Sequence, residues 1–192
     1  MRTRMFSLLV LFTLAILPLC PAQQAIILVR HAEKIADDMN GKDVPLSKAG
    51  QERARLLAEM LKDSGITAIY ATDTVRTRAT ALPLSRQLAL PIRTLEQRNP
   101  ESAVRFLKSQ NPSDVVLIVG HTDTLPGLLR ALGYRRDVKI HSNDYTNLFV
   151  VLPRAGKSPS VIRVGYGEDE NENDARRKNL PTPRRKASPP PG

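Results

Sequence analysis

The sequence predicts an α/β protein of three layers, with a mainly parallel sheet between two layers of helices. Two short apolar runs support this prediction most directly, and they lie at residues 26–29 and 115–119. Continuous β-branched runs of this length are typical of strands that are buried on both faces, as in a parallel sheet. Amphipathic segments alternate with the strand-like runs, which favours an α/β domain.

The first predicted helix follows the first strand and a polar loop over residues 35–45. Ser47 is a favourable N-cap residue, and Gly65 is suited to the turn after the helix. The residues between them place apolar side chains at helical spacing, which indicates one buried stripe. The stripe consists of Ala54, Leu57, Met60 and Leu61.

The same alternation continues to the end of the predicted domain. A strand over residues 68–71 precedes a helix over 75–88, in which Pro83 requires either a later start or a kink. The remaining elements are a strand over 92–95, a helix over 102–108, a strand over 113–119, and two edge strands over 145–152 and 160–164. A further helix is predicted between the strand over 113–119 and the edge strand over 145–152. Asp123 or Thr124 is its N-cap, and Gly133 lies beyond its end.

The ends of the chain differ from its centre. Residues 1–22 combine early arginines, a short apolar stretch and a small residue at position 22, which predicts a signal peptide and export to the periplasm or the extracellular space. A buried helix or a membrane anchor is the alternative, and lipidation at Cys20 is a second one. Cys20 is the only cysteine, so cleavage after residue 22 would leave no thiol for a disulfide.

Residues 23–166 are the predicted domain, and residues 167–192 form a charged, proline-rich tail. The tail is almost devoid of apolar residues, which predicts disorder. Its basic clusters could contact an anionic surface weakly, although a solvated tail is the simpler interpretation. The formal net charge of +10 favours small anionic substrates. We identify no nucleic-acid-binding motif, so no nucleic-acid partner is expected.

Two histidines follow the two most apolar runs. His31 comes directly after Arg30, and His121 follows Gly120. Ligands of open α/β sheets bind at the carboxyl ends of parallel strands, so both histidines are expected at one functional edge. An arginine beside them adds fixed positive charge, which suits a phosphate group.

Three motifs in order resemble the histidine phosphatase superfamily, also called phosphoglycerate mutase-like. They are Arg-His-Ala at residues 30–32, Thr-Asp-x-x-Arg-Thr-x-x-Thr-Ala at 72–81, and Gly-His-Thr at 120–122. The usual third residue of the first motif is glycine, and this chain has Ala32. The resemblance covers about residues 25–165 and is to small, single-domain members without a large cap insertion.

The resemblance implies a role for each matched residue. His31 would be the nucleophile that forms a phosphohistidine, and Arg30 and Arg76 would bind the phosphoryl oxygens through their planar guanidinium groups. His121 would donate a hydrogen bond to the developing charge, assisted by backbone N–H groups of the helix that follows it. Arg78 is expected on the outer face of its helix, and His141 on the surface.

The general acid is less defined than these residues. Glu96 lies in the region where some family members supply a glutamate, whereas Asp123 is the alternative because other branches place an aspartate beside the second histidine. Helix capping is the structural alternative for Asp123. No metal site and no cofactor are expected, since the three histidines lack zinc-ligand spacing and the family works without metal.

The resulting prediction is an exported phosphomonoester hydrolase acting on a small phosphorylated substrate. Mutase activity is disfavoured because the chain lacks the extended mutase motif after the third strand. A phosphohistidine or phosphoprotein phosphatase is one alternative, and a non-catalytic phosphate- or polyanion-binding protein is another.

Overall fold

A computed structural model describes residues 25–35, 43–96, 99–110, 114–154 and 156–168. The predicted signal peptide and residues 169–192 of the predicted tail lie outside these ranges. The strands are β1 (Ala25–Arg30), β2 (Ile66–Ala71), β3 (Ile92–Thr94), β4 (Val115–Gly120), β5 (Asn147–Arg154) and β6 (Lys157–Gly165). The helices are α1 (Lys48–Leu61), α2 (Val75–Leu88), α3 (Pro100–Gln110) and α4 (Thr124–Ala131). None of these helices combines the length and apolar content that crossing a membrane requires.

The six strands form one sheet in the order β3-β2-β4-β1-β5-β6. β1, β2, β3 and β4 run parallel to one another, while β5 and β6 are antiparallel. The prediction of a three-layer α/β fold with a mainly parallel sheet is therefore confirmed. β1 and β4 are direct neighbours, so their carboxyl ends, and the residues that follow them, lie side by side.

Both faces of the central strands are buried, which explains the continuous apolar runs. Ile26 and Leu28 belong to the core cluster that contains buried residues of α3 and α4. Ile27 and Val29 point the other way and belong to the cluster with buried residues of α1 and α2. Because alternate residues of a strand face opposite sides, each side of β1 needs apolar side chains, and no polar alternation can occur.

Local signals in the sequence agree with several helix boundaries. The Ser47 side chain accepts a hydrogen bond from the Gly50 N–H at 3.1 Å, as expected of an N-cap. Gly133 has φ +99 and follows α4, in a conformation that favours glycine. α2 begins at Val75 with Pro83 inside it, so the alternative of a later start is wrong.

Several strand and helix ends differ from the prediction. β5 begins at Asn147 rather than 145, because Tyr145 lies in the preceding loop against Arg30. β6 extends over Lys157–Gly165 because it pairs along its length with β5. Such pairing is a tertiary effect that the residues of β6 alone do not indicate.

The folded part of the chain extends beyond the predicted boundary at residue 166. The buried Arg53 side chain donates to Glu33 Oε1, to the Tyr166 carbonyl at 2.7 Å and to the Glu168 carbonyl at 2.7 Å. Gly167 lies between these two carbonyls with φ +70, and a Cβ atom there would approach Arg53 Nη1 to 2.5 Å. Gly167 and Glu168, which the prediction assigns to the tail, therefore contact Arg53 of the domain.

Gly167→Ala should destabilise the protein more than removal of the rest of the tail. The left-handed backbone penalises a side chain by about 1–2 kcal/mol, and the new Cβ would also displace the Arg53 guanidinium. We expect Tm to fall by several degrees. Deleting residues 169–192 should leave Tm nearly unchanged, because that segment has almost no apolar residues to bury.

Differential scanning calorimetry measures both effects, and Gly165→Ala is the matched control because a Cβ there would meet no atom within 4 Å. A fall of many degrees on deleting residues 169–192 would contradict the predicted tail. An unchanged Tm in Gly167→Ala would contradict the contact with Arg53.

Candidate active site

The two motif histidines meet at the carboxyl edge of the sheet. His31 directly follows β1, and its N–H donates to the Gly120 carbonyl at the end of β4 at 2.9 Å. His121 follows β4, and the centroids of the two imidazole rings are 5.2 Å apart in an edge-to-face arrangement. The register between β1 and β4 thus places together two residues that are 90 positions apart in the sequence.

The His31 ring has one nitrogen free to attack an electrophile. Its Nδ1 lies 2.8 Å from the Ala32 carbonyl oxygen, which can only accept a hydrogen bond. Nδ1 therefore carries the proton, and Nε2 keeps its lone pair. Burial, the largest cause, and the positive charge of Arg30 together lower the pKa of His31 to about 4. The ring is consequently neutral near pH 7, as nucleophilic attack requires.

Ala32 fits where glycine is usual in the resembled family. Its side chain is fully buried in a small apolar cluster with Leu46 and Ala54. The Ala32 N–H donates to Thr80 Oγ1 at 2.9 Å, and that hydroxyl donates to the Arg76 carbonyl at 2.8 Å. These bonds connect the loop after β1 to the first turns of α2.

Arg30 is held by the loop between α4 and β5. Its Nη1 donates to the carbonyls of His141 at 3.1 Å and Asp144 at 3.2 Å, and its guanidinium stacks 4.1 Å from the centroid of the Tyr145 ring. Burial lowers the pKa of Arg30, and 5% of its surface is exposed. Its Nε is buried and has no hydrogen-bond partner in the described structure.

Arg76 is also anchored by a loop, in this case through the carboxylate of Asp43. Its Nη1 donates to Asp43 Oδ1 at 2.9 Å, and Asp43 also accepts from the Val75 N–H at the start of α2. Arg76 Nη2 lies 3.4 Å from His121 Nδ1, and Arg76 Nε is buried without a partner among the described residues. Both arginines thus use Nη1 as an anchor, and each keeps a buried Nε that has no partner among the described residues and can donate to an anion.

His121 is neutral and takes part in a hydrogen-bond chain on the side away from Arg76. Its Nε2 lies 2.8 Å from Thr72 Oγ1. Burial and the charge of Arg76 lower the pKa of His121, while Asp123 and Asp43 act in the opposite direction. At neutral pH the ring therefore carries one proton, and its position depends on the neighbouring groups.

Two backbone N–H groups at the start of the helix after His121 bond within the chain. The N–H groups of Thr124 and Leu125 donate back to the His121 carbonyl at 3.3 and 3.1 Å. The Thr124 hydroxyl in turn accepts from the His121 N–H at 2.9 Å. The N–H groups of Thr124 and Leu125 are thus engaged with the chain itself, and a contribution of the helix N-terminus to anion binding stays a prediction.

Glu96 and Asp123, the candidate acids, are both exposed. Glu96 follows β3 and lines a cleft of about 570 Å³ beside the first turns of α3, together with Asn99 and Phe106. The described hydrogen bonds do not connect Glu96 to either histidine. Asp123 occupies the N-cap position of α4, but its side chain makes no capping bond, so the assumed capping role is wrong. Its carboxylate instead opposes the lowering of the His121 pKa that burial and Arg76 cause.

The remaining predicted positions are also accounted for. Arg78 is exposed, with its Nη1 3.4 Å from Thr94 Oγ1, in agreement with the predicted outer face. The His141 side chain is exposed as predicted, while its carbonyl holds Arg30. Within the described ranges, no group of three or more His, Cys, Asp or Glu side chains is arranged to hold a metal ion.

Three contributors to the site were missed at the sequence level. Thr72 directly follows the buried strand β2, so its position at the functional edge was available as a signal. Tyr145 and Asp43 reach the site from loops, and nothing in their local sequence indicates that they contact Arg30 and Arg76.

Comparison with known proteins agrees with this fold. Residues 26–99 match the family model described as Histidine phosphatase superfamily (branch 1). The protein named "Probable phosphoglycerate mutase GpmB" from Photorhabdus laumondii is 36% identical over 88 residues, which are 44% of this chain and 40% of that protein. The chain thus spans about two fifths of the length of the curated relative that it matches.

Solved structures share the architecture over most of their length. The protein histidine phosphatase SixA complexed with tungstate has a TM-score of 0.62 at 18% identity, covering 73% of this chain and 96% of that one. Phosphoserine phosphatase from Entamoeba histolytica gives 0.59 at 14%, covering 76% and 98%. The mycobacterial glucosyl-3-phosphoglycerate phosphatase gives 0.57 at 15%, covering 75% and 98%. At these identities the likeness concerns the fold.

The family-model match and the shared fold confirm the predicted resemblance to the histidine phosphatase superfamily. The matched segment is of the branch 1 type, and it contains Arg30, His31 and Arg76.

Proposed function

We propose that the chain is a phosphomonoester hydrolase that forms a phosphohistidine at His31 and acts on a small anionic substrate outside the cytoplasm. The observation that carries the proposal is an unprotonated His31 Nε2 on a ring that lies within the electrostatic reach of Arg30 and Arg76, whose buried Nε atoms have no partner among the described residues. A phosphoryl group between Arg30 and Arg76 would satisfy both arginines and would place phosphorus near His31.

The chemistry proceeds in two displacements. His31 Nε2 attacks phosphorus, a P–N bond forms, and the bond to the ester oxygen breaks, so that the alcohol leaves with a proton. Water then attacks the phosphohistidine, the P–N bond breaks, and inorganic phosphate is released with neutral His31 restored. The arginines stabilise the charge on the non-bridging phosphoryl oxygens throughout.

A phosphate-release screen tests this proposal directly. The purified protein would be assayed with sugar phosphates, nucleotides, lipid phosphates and phosphopeptides. Release of phosphate from a small monoester supports the proposed activity, whereas release from phosphopeptides or phosphohistidine alone would support a protein phosphatase instead. Phosphate binding without turnover on any substrate would make the chain a binding protein.

Export remains a proposal that rests on residues 1–22 alone. Expression of the full chain in a bacterial host, followed by cell fractionation and N-terminal sequencing, should yield a protein outside the cytoplasm that begins near Gln23. Retention of residues 1–22 would support an anchor.

The pH profile should have an unusually low acid limb. Because burial lowers the pKa of His31 to about 4, the ring stays neutral as pH falls below the ordinary histidine range. The nucleophile is lost only when pH falls through about 4. We expect kcat/KM for an aryl phosphate to fall on the acid side of the profile near pH 4 rather than near 6.5. Circular dichroism at each pH checks that the protein is folded. An acid limb near 6.5 would contradict the buried, neutral His31.

Loss of the proton donor should affect poor leaving groups most. A leaving alkoxide is strongly basic, so removal of the acid should slow hydrolysis of an alkyl phosphate by ~10²–10⁴-fold and that of an activated aryl phosphate little. Asp123 is the better candidate, because its carboxylate makes no capping bond and acts electrostatically on His121. We therefore expect this difference in Asp123→Asn.

Glu96→Gln is the comparison variant, since Glu96 is exposed in a neighbouring cleft. It should change the two rates by similar, small factors. A leaving-group difference in Glu96→Gln alone would assign the acid to Glu96, and equal losses on both substrates would indicate a binding or structural role for the mutated residue.

A further inference from the structure

Tyr145 is an aromatic residue of the site to which the sequence analysis assigns no role. It lies in the loop between α4 and β5 and is half-buried. The guanidinium carbon of Arg30 is 4.1 Å from the centroid of its ring, and the centroid of the His31 ring is 6.0 Å away. The Tyr145 ring therefore lies against one proposed phosphate-binding group and beside the proposed nucleophile.

The ring restricts the orientation of the Arg30 guanidinium. The carbonyls of His141 and Asp144 accept hydrogen bonds from Arg30 Nη1, so they fix one corner of this planar group. A group that is held at one corner can still turn about it. At 4.1 Å from the centroid, the guanidinium is close to van der Waals contact with the ring, so it cannot turn an edge towards Tyr145 without a clash. The ring thus limits the directions in which Arg30 Nε donates.

Tyr145 is itself held by the hydrogen bonds of its loop. The Asp144 carboxylate accepts from the N–H and the hydroxyl of Thr146, at 3.1 and 2.9 Å. The Asp144 N–H donates to the His141 carbonyl at 3.0 Å, and the Thr146 carbonyl accepts from the Tyr166 N–H at 2.9 Å. These bonds are internal to the protein and fix the residues on both sides of Tyr145. The position of the ring therefore does not depend on a bound ligand, which is the condition for preorganisation.

The groups that hold Arg30 differ in charge from the group that holds Arg76. Arg76 is bonded to the carboxylate of Asp43, which compensates part of its positive charge. Arg30 is bonded to two neutral carbonyls and lies over an uncharged ring, which stabilises a cation without cancelling its charge. In the part of the chain that the structure describes, Arg76 lies over no aromatic ring. Support by an aromatic ring thus distinguishes Arg30 from Arg76.

We propose that Tyr145 is a positioning residue, whose ring holds the Arg30 guanidinium in the orientation that binds the phosphoryl group while leaving its positive charge available to that group. The inference rests on the proposed function, because it concerns the phosphoryl group expected between Arg30 and Arg76. Tyr145 acts through Arg30 and takes no part in bond making or proton transfer. An aromatic ring is sufficient for this role, so the Tyr145 hydroxyl is not required.

Two substitutions separate the ring from the hydroxyl. Tyr145→Phe is the conservative variant and should retain kcat/KM for an aryl phosphate within about twofold, whereas Tyr145→Leu should lower it by about tenfold or more, on the scale of a desolvated cation–π contact. Circular dichroism and Tm check that both variants are folded under the assay conditions. Equal losses in the two variants would overturn the inference, since the hydroxyl would then be the functional part.

A double-mutant cycle tests whether Tyr145 acts through Arg30. In an Arg30→Met background the guanidinium is absent, so adding Tyr145→Leu should change kcat/KM by less than about twofold. In an Arg76→Met background the contact with Arg30 is intact, so adding Tyr145→Leu should still lower kcat/KM by about tenfold. Similar losses in the two backgrounds would show that Tyr145 acts independently of Arg30 and would overturn the inference.

The contact can also be measured without turnover. A guanidinium that lies over an aromatic ring experiences the ring current, so the Arg30 Nε–H proton should resonate upfield of those of exposed arginines in ¹H–¹⁵N spectra. The Arg30→Met variant assigns the signal. Tyr145→Phe should keep the shift, and Tyr145→Leu should remove it. An Arg30 Nε–H signal without this shift in the unmodified protein would overturn the inference, even if Tyr145→Leu does not fold.

Phosphate binding separates failure of this inference from failure of the proposed function. Calorimetric titration with inorganic phosphate should give a Kd that rises in Tyr145→Leu and stays near the unmodified value in Tyr145→Phe. If esters are hydrolysed but Tyr145→Leu changes neither Kd nor kcat/KM, the inference is wrong and the proposed function stands. If phosphate binds with the expected pattern but no ester is hydrolysed, the inference stands for a phosphate-binding protein and the proposed hydrolase is wrong. Absence of both hydrolysis and phosphate binding would overturn the function together with the inference.

Discussion

Replacing His31 by alanine should abolish the phosphoenzyme and lower kcat by ~10⁴-fold or more, on the scale of losing a covalent nucleophile. The expected size follows from the geometry, because Nε2 of His31 is the nitrogen that the Ala32 carbonyl leaves unprotonated. The His121 ring does not replace it, because that ring is engaged by Thr72 and Arg76.

Rapid quenching during turnover of a ³²P-labelled substrate, followed by mass spectrometry, measures the intermediate. The label should be lost in acid and retained in base, as is characteristic of a P–N bond. His141→Ala is the matched control, since its exposed ring makes no described contact with the site and only its backbone carbonyl holds Arg30. Label on a residue other than His31, or label stable to acid, would contradict the mechanism.

The central strands and the two histidines could be predicted because their signals are local. A fully buried parallel strand requires a continuous apolar run, and the residue after such a strand is at the functional edge of the sheet. His31 and His121 satisfy both conditions, so their proximity follows from the adjacency of β1 and β4. The same reasoning places Thr72, which directly follows β2, at this edge.

The groups that hold the arginines could not be predicted because they act through the backbone or from loops. The carbonyls of His141 and Asp144 hold Arg30, and every residue has a carbonyl, so no residue type marks this role. Asp43 lies 33 residues from Arg76 in a polar loop, where a carboxylate is common. Only the folded arrangement shows these contacts.

The prediction that the Asp123 side chain caps α4 is wrong for a related reason. Aspartate before a helix favours capping, yet in this chain the Thr124 hydroxyl bonds to the His121 N–H, and the N–H groups of Thr124 and Leu125 donate to the His121 carbonyl. The first turn of α4 closes on His121 itself. A propensity for capping cannot indicate which of several nearby acceptors the first N–H groups will use.

Arg30→Lys and Arg76→Lys should each lower kcat/KM by ~10²–10³-fold, the scale of removing a preorganised donor from a charged transition state. Both arginines perform two tasks at once, because Nη1 is bonded to the protein while the buried Nε, which has no partner among the described residues, remains for the phosphoryl oxygens. A lysine has one ammonium group on a flexible stem. It can occupy the anchor or reach the anion, but it cannot supply two parallel hydrogen bonds to the phosphoryl group.

Arg78→Lys is the matched control for these two variants, since all three keep the charge. Arg78 is on the same helix as Arg76, but it is exposed and contacts only Thr94 at 3.4 Å in the described structure, so kcat/KM should change by less than about twofold. Steady-state kinetics with one aryl phosphate measures all three variants under identical conditions. A larger loss in Arg78→Lys than in Arg76→Lys would show that the second motif has been aligned in the wrong register, since the functional arginine would then be the one that points away from His121.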